Sequence, residues 1–172
     1  PPLEDELNNA IECTLRLIDL APAKIIFPLL SSIFRSVLGE IKGIDLALFF
    51  VGPTGCQKSE VTGLGQSFFG SGFTGKKIPG NWNTTANSLE RQAFLIKDAI
   101  FTVDDFAPCG TQADVQRLHK EADRLFRAQG NRAGRGRMKS DGSLRVENYP
   151  RGLIVSSGED LPRGQSLRSR LF

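Results

Sequence analysis

The sequence predicts an α/β domain with a mainly parallel sheet, preceded by a helical segment. Three apolar runs of strand length support this prediction: residues 46–51, 99–103 and 152–157. The runs end at a glycine, at two aspartates and at two serines, respectively. Apolar residues recur at helical spacing in the segments between the runs. Strands that alternate with helices are typical of parallel sheets, whose ligands bind at the carboxyl ends of the strands.

Residues 1–44 are predicted to form the helical segment, and residues 45–172 the core. The first apolar stripe has helical spacing and consists of Leu3, Leu7, Ile11, Leu15 and Ile18. A second stripe runs through residues 25–38. Proline and glycine residues separate the two stripes from each other and from the first strand.

A glycine-rich loop leads from the first strand into a predicted helix over residues 60–69. The loop combines small residues whose N–H groups can wrap an anion, a lysine for terminal phosphates and a hydroxyl for magnesium. It fits the pattern G-x-x-x-x-G-K-[ST] except at Gln57, which replaces the last glycine. The predicted nucleotide contacts are Gly52, Pro53, Thr54, Gly55, Cys56, Gln57, Lys58 and Ser59, and Ser59 is also a predicted magnesium ligand. The alternative interpretation is a strand-to-helix turn that binds nothing.

Two carboxylates follow the second apolar run. Asp104 and Asp105 are predicted to lie at the tip of a buried strand, at the edge of the sheet where ligands bind. In P-loop ATPases the first such acid holds the magnesium shell and the next orients and activates the attacking water. We therefore expect Asp104 to serve the metal and Asp105 to serve catalysis. A solvated turn is the alternative.

The remaining elements follow from periodicity and turn signals. The sequence predicts a flexible link over 70–80, a short strand or extended turn over 82–85 and a helix over 86–97. Thr111 is expected to cap a helix that ends near Gly130, with Asp114 favouring its first turn. The lone histidine, His119, is predicted to be a solvated surface residue of that helix.

Positive charge is concentrated between residues 117 and 151. This segment has ten Lys or Arg against four acids, whereas the rest of the chain has twelve against fifteen. A concentrated basic surface suits a polyphosphate backbone. Asp141–Gly142 predicts a hairpin inside a basic insertion at about 130–150. The predicted nucleic-acid contacts are Arg135, Arg137, Lys139 and Arg145; alternatively, these side chains are solvated or pair with acids of a neighbouring subunit.

Composition restricts the remaining possibilities. No apolar run approaches the roughly 20 residues of a membrane span, so no membrane partner is expected. Three widely spaced cysteines without metal-ligand spacing suit a reducing cytoplasm. The chain begins without methionine, has no signal peptide and ends abruptly, so a longer parent protein is expected.

The order of these parts resembles the AAA+ ATPases, and within them the superfamily 3 helicase-like motor domains of phage and mobile-element primase–helicases. The resemblance covers residue 46 to the end. It depends on four phrases: Gly-Pro-Thr-Gly at 52–55, Trp-Asn-Thr-Thr-Ala-Asn-Ser-Leu-Glu at 82–90, Asp-Asp-Phe-Ala-Pro at 104–108 and Ser-Gly-Glu-Asp-Leu-Pro at 157–162.

The resemblance implies a three-layer P-loop fold, ATP and Mg²⁺ as ligands, and a ring, usually a hexamer, that grips single-stranded DNA. Lys58 and Ser59 match the Walker A pair, and Asp104 and Asp105 match the Walker B pair. Ser156 or Ser157 falls at sensor 1, and Ser157 is the predicted nucleotide contact. Arg170, with Arg168 as the alternative, matches an arginine that acts on a neighbour's nucleotide. The hairpin at Lys139 matches the insertion that lines the ring's pore. The family's lid domain and fifth strand are expected to be missing.

Two functional hypotheses follow. The first is an ATP-driven DNA translocase or helicase in the replication of a mobile or viral element. The second is a slow nucleotide-dependent switch or defence ATPase that does not unwind DNA, which Gln57 favours. A protein-remodelling ATPase ranks last, because no aromatic pore loop is evident after the second strand.

Overall fold

A computed structural model describes residues 3–70, 72–134, 136, 138, 140–144 and 147–172. Its helices are α1 (Glu4–Arg16), α2 (Ala23–Ser36), α3 (Lys58–Ser67), α4 (Ala86–Leu95), α5 (Gln112–Asn131) and α6 (Gln165–Arg168), with a 3₁₀ turn at Leu17–Asp19. The strands are β1 (Leu48–Val51), β2 (Gly80–Asn81), β3 (Lys97–Phe106) and β4 (Arg151–Gly158).

The four strands form one sheet in the order β1-β4-β3-β2, and every neighbouring pair is parallel. Phe49 pairs with Ser156, and Val103 pairs with the same serine from the other side. The predicted α/β class with a parallel sheet is confirmed.

Helices cover both faces of the sheet, which gives three layers. On one face α2 and α3 pack over a cluster that includes Ile26, Leu29, Ile100 and Leu153. On the other face α4 and α5 enclose an aromatic group in which Trp82 and Phe126 have ring centroids 5.7 Å apart. Because both faces are covered, the central strands are buried where they cross the core, at residues 100–103 of β3 and 152–158 of β4.

The second strand lies two residues earlier than the 82–85 segment predicted as a strand or turn. Gly80 pairs with Val103, and a Cβ atom at Gly80 would lie 2.8 Å from the carbonyl oxygen of Thr102. Only glycine allows this close approach. Trp82 then begins a turn and is buried, with its indole N–H donating to Ser156 Oγ at 2.9 Å.

Several predicted boundaries shift by a few residues. The helix after the glycine-rich loop begins at Lys58 rather than residue 60, and α4 ends at Leu95 rather than 97. Lys97 instead begins β3 by pairing with Arg151 of β4. Pairing across the sheet thus overrides the helical pattern at the end of α4.

One further backbone pairing lies beside the first strand of the sheet. Leu171 pairs in parallel with Ala47, and Phe49 N–H donates to the carbonyl oxygen of Phe172 at 3.0 Å. These bonds lie on the edge of β1 opposite β4. This contact is an isolated bridge outside the four-stranded sheet, and the expected absence of the family's fifth strand stays a prediction.

The cap of α5 is confirmed. Thr111 Oγ1 accepts the backbone N–H of Asp114, whose carboxylate accepts the backbone N–H of Thr111 at 3.2 Å. Hydrogen bonds from Thr111 hold the pKa of the Asp114 carboxyl below its ordinary value. This reciprocal arrangement satisfies donors that the helix itself cannot.

The surface position predicted for His119 is wrong, because its side chain is only 7% exposed. The ring packs 5.5 Å from Phe106, and Nδ1 accepts the backbone N–H of Arg163 at 3.2 Å. Helical periodicity places His119 one position after Leu118, at the margin of the buried face, and the segment after β4 covers it.

None of the helices in the described residues combines the length and the apolar character needed to cross a membrane.

We predict that Gly152→Ala lowers the free energy of unfolding by about 1–3 kcal/mol, because the added methyl would overpack the sheet. Its Cβ atom would lie 2.3 Å from the carbonyl oxygen of Ala99. Urea denaturation followed by circular dichroism measures the change. Gly72→Ala is the control, because nothing lies within 4 Å of its Cβ position. Equal stabilities of the two variants would contradict the expected clash.

We also predict that the protein loses stability as the pH falls through 6.5. Burial is the main cause that lowers the pKa of His119 below its ordinary 6.5, and the charges of Arg163 and Arg168 add to the effect while Asp160 opposes it. As the pH decreases below 6.5, the unfolded chain binds a proton at His119 more readily than the folded chain does. The free energy of unfolding therefore decreases as the pH decreases. Urea denaturation at pH 7.5 and 5.5 should show a smaller difference for His119→Gln than for the wild type.

Candidate functional site

A cleft of about 290 Å³ opens at the carboxyl ends of the strands. Its walls come from the loop after β1, the start of α3, and the ends of β3 and β4. The lining residues are Thr54, Gly55, Gln57, Lys58, Ser59, Glu60, Asp104, Asp105, Gly158 and Glu159. Four of the predicted nucleotide contacts are not in this lining but lie in the loop and in β4 next to it: Gly52, Pro53, Cys56 and Ser157. All of the predicted nucleotide and metal contacts therefore lie at or beside the cleft.

The loop between β1 and α3 turns through two left-handed residues. Gly55 has φ +85° and Gln57 has φ +59°. Gln57 thus adopts, as a non-glycine residue, the conformation that the sequence pattern reserves for glycine, at a cost of roughly 1–2 kcal/mol. It is the residue that precedes α3 and makes no side-chain capping bond. The N–H groups of the first turn of α3 therefore face the cleft without a protein cap.

Lys58 crosses the loop from the first position of α3. Its Nζ donates to the carbonyl oxygens of Gly52 and Pro53, each at 2.8 Å, and lies 3.6 Å from Cys56 Sγ. The ammonium group is therefore held at the cleft by the loop's own carbonyl groups. Its charge, together with the start of α3, makes this end of the cleft attractive to an anion.

Asp104 connects the loop side of the cleft to the sheet. One of its oxygens, Oδ1, accepts the hydroxyl of Ser59 at 2.9 Å and also the hydroxyl of Ser157. Ser59 lies in α3 and Ser157 lies in β4, so a single carboxylate on β3 links three elements. Ser156, the other candidate at this strand tip, instead donates to the carbonyl oxygen of Val103 and accepts from Trp82.

The two aspartates lie within β3 and not beyond its end, which corrects the predicted strand 99–103. The ladder is irregular here, because Val103 pairs with Ser156 and Phe106 pairs with Gly158. Between these two pairs the chain moves on by three residues in β3 but by only two in β4. The extra residue in β3 makes a β-bulge. Asp105 has φ +69° in this bulge and is exposed at the cleft, whereas a regular strand would place the two side chains on opposite faces.

Sequence reasoning missed two residues that contact the predicted site. Asn83 Nδ2 donates to Asp105 Oδ2 at 3.2 Å, and the hydroxyl of Thr54 donates to Glu159 Oε1. Asn83 follows β2 and Glu159 follows β4, so both lie at the sheet edge that holds the cleft. Their positions just after strands were the available signal.

The donor set of this cleft fits a triphosphate with Mg²⁺. Uncapped helix N–H groups and an ammonium suit phosphate oxygens, while a hydroxyl beside a carboxylate suits a hard cation. No group of three or more His, Cys, Asp or Glu in the described residues could hold a metal ion alone. Mg²⁺ bound at one carboxylate would depend on phosphate oxygens and water for its other ligands, which is its usual coordination.

The structure does not bring Arg168 and Arg170 to this cleft. Arg170 precedes the pair between Leu171 and Ala47 at the start of β1, roughly 15 Å along the strand from Gly52. Its guanidinium donates to Ser166 Oγ at 2.8 Å and to Asn131 Oδ1 at 3.2 Å. Arg168 donates to the carbonyl oxygen of Pro162 at 3.3 Å.

The four predicted nucleic-acid contacts, Arg135, Arg137, Lys139 and Arg145, lie outside the described residues. Described residues of the same part of the sequence contain a turn. Met138 and Leu144 pair antiparallel, and Gly142 has φ +79° in the turn between them. The turn predicted at Asp141–Gly142 is therefore present, and the wider hairpin insertion at about 130–150 stays a prediction.

No protein-family model matches the sequence, and no curated protein matches it. The fold is similar to a solved structure described as "SCCmec type IV Cch - active helicase", with a TM-score of 0.50 and 19% sequence identity. The alignment covers 83% of this chain and 25% of that one, so the chain spans about a quarter of the helicase's length. The likeness shows that the chain has a helicase-like α/β fold.

Proposed function

We propose that this protein is an ATP-dependent DNA translocase or helicase motor that works as a ring, in the replication of a mobile or viral element. The observation that carries the proposal is the meeting of Lys58, Ser59, Asp104 and Asp105 in one cleft. The helicase-like fold supports it. A lysine, a hydroxyl and two carboxylates at the ends of parallel strands are the groups that phosphoryl transfer requires.

In this proposal the loop binds the triphosphate of ATP. Backbone N–H groups at Gly55 and the start of α3 hold the phosphates, and Lys58 exchanges its carbonyl contacts for the terminal phosphates. Ser59 and Asp104 would hold Mg²⁺, and the chemistry that the metal would supply is neutralisation of charge on the phosphates. Ser157 fixes the Asp104 carboxylate through its hydroxyl.

A second opening beside the loop could accept the rest of the nucleotide. It is a groove of about 950 Å³ whose walls include Pro22, Ile25, Phe50, Gln57 and Leu64. Mostly apolar walls next to a polar phosphate site suit a base and ribose. The helical segment before β1 would then contribute to nucleotide binding.

Asp105 is proposed as the residue that orients the attacking water and accepts its proton. The bulge exposes its carboxylate to the cleft, and Asn83 fixes the orientation of that carboxylate through Oδ2. Arg170, or alternatively Arg168, would stabilise the transition state from a neighbouring subunit. Arg135, Arg137, Lys139 and Arg145 would contact the backbone of single-stranded DNA.

The alternative is a nucleotide-dependent switch with slow turnover. The specific observation in its favour is the left-handed conformation of Gln57, whose side chain stands where the pattern has glycine. A side chain at this turn can restrict the exchange of Lys58 between its carbonyl contacts and a phosphate.

We predict that Lys58→Ala or Asp105→Asn lowers the kcat for ATP hydrolysis by at least about 100-fold, because each removes a group that acts in the transition state. Steady-state phosphate release with single-stranded DNA present measures the effect. The control is Lys42→Ala, which removes an exposed lysine near the opposite end of β1. Unchanged turnover in both variants would refute the motor, and ATP binding without DNA-stimulated turnover in the wild type would favour the switch.

We further predict that the double variant Arg137→Ala/Lys139→Ala weakens binding to single-stranded DNA and flattens its salt dependence. Each lost phosphate contact should reduce the slope of log K against log salt by about 0.7. Fluorescence anisotropy with a labelled oligonucleotide at several salt concentrations gives the slope. Lys76→Ala/Lys77→Ala removes the same charge outside the basic segment and should keep the wild-type slope. Equal slopes in all three proteins would argue against DNA contact by the hairpin.

A further inference from the structure

Helix α1 presents an apolar stripe that nothing in the described chain covers. No residue of α1 is buried, although Leu7, Ile11 and Leu15 recur along one side, after Leu3 at the N-cap. Leu7 and Ile11 are each 49% exposed, and Leu15 is 57% exposed. A 13-residue helix gains little stability from propensity alone, so such a stripe indicates a docking partner.

The net negative charge of α1 limits which kinds of partner could bind its apolar stripe. The helix carries Glu4, Asp5, Glu6 and Glu12 against a single basic residue, Arg16. Helices that lie on membranes are rich in Lys and Arg on their polar side, so a lipid surface does not fit. Two α1 helices side by side would bring acids together at both flanks. The stripe therefore calls for an apolar surface that has positive charge at its edge.

The same chain has such a surface where α2 meets the sheet, and we call it the α2 groove. A groove of about 470 Å³ runs between α2 and the start of β1, with walls that include Phe27, Pro28, Leu46, Leu48 and Leu153. Phe27 is half exposed. The part of α2 that lines the groove spans residues 27–35, about 12 Å, which equals the distance along α1 from Leu7 to Leu15.

Positive charge lies at one end of the groove. Arg35 contributes to its wall, and its Nη2 donates to the carbonyl oxygens of Lys42 and Gly43 at 2.8 and 2.7 Å. The other terminal nitrogen, Nη1, is buried and has no hydrogen-bond partner among the described residues. Nη1 is thus closed to an outside partner, but the Arg35 side chain as a whole is partly exposed, and its positive charge at the groove end favours an acidic side chain beside it.

We propose that α1 of one copy of this chain docks in the α2 groove of a second copy. Leu7, Ile11 and Leu15 would fill the groove, and an acidic residue of α1 would reach Arg35. The two contact surfaces are different, so an assembly of any length has one unoccupied α1 at one end and one unoccupied groove at the other. Adding further copies either closes a ring or extends a filament. This interface does not depend on the proposed ATPase activity.

Complementary variants of the 172-residue chain test the interface without nucleotide or DNA. Ile11→Asp disrupts the stripe and Phe27→Asp disrupts the groove, and both positions are exposed enough to leave the fold intact by circular dichroism. Sedimentation velocity from low to high micromolar concentration should show association of the wild type and monomers for each variant alone. An equal mixture should double the mass to a dimer and go no further, because one intact stripe meets one intact groove.

Asn9→Asp is the matched control, since it places the same charge on the opposite side of α1 and should associate like the wild type. Three results would overturn the proposal: a monomeric wild type, association of Phe27→Asp at wild-type strength, or a mixture that stays monomeric. A monomer that cosediments with anionic lipid vesicles would assign the stripe to a membrane instead. None of these measurements depends on turnover, so a failure here leaves the proposed ATPase to its own test.

Discussion

The carboxylate of Asp104 is the contact on which the candidate site depends. It accepts hydroxyls from Ser59 at the start of α3 and from Ser157 in β4, and its own position on β3 is set by a bulge. A partly buried hydrogen-bond network of this kind helps to fix the relative positions of its elements, since losing one member leaves another without a protein partner. The glycine-rich loop is therefore held by the sheet as well as by its own backbone.

Local patterns predicted much of the fold and of the site. Apolar runs indicated three of the four strands, the Thr111 cap was readable from sequence, and the residues around Lys58 and Asp104 do share one cleft. The bulge at Asp105 was not predictable, because it depends on how β3 pairs with a strand about fifty residues away. The burial of His119 and the pairing of Gly80 are likewise set by segments distant in sequence. Hydrophobic periodicity describes only local sequence and does not predict such contacts.

The two ends of the sheet have different chemistry. The cleft, with its lysine and carboxylates, lies at the carboxyl ends of the strands, whereas Arg170 and the α2 groove lie near the opposite end of β1. The turn that joins α1 to α2 lies at the cleft end of the sheet, where it lines the other opening, the one beside Gln57 proposed for the base and ribose. Docking of α1 on a second copy would therefore bring the cleft end of one chain towards the arginine end of the next. The proposed interface and an arginine acting between subunits are consistent in direction.

The chain has a single tryptophan, and its position gives it a second use. Trp82 is buried, its indole N–H is bonded to Ser156, and its chain neighbours are Asn81 and Asn83, the latter in contact with Asp105. A rearrangement that moves Asn83, or the backbone of Asp104 to which the Trp82 backbone N–H donates, would change the surroundings of this one indole. Intrinsic emission is thus a label-free spectroscopic reporter of the site, free of background from other indoles, and no dye has to be attached to follow ligand occupancy in real time.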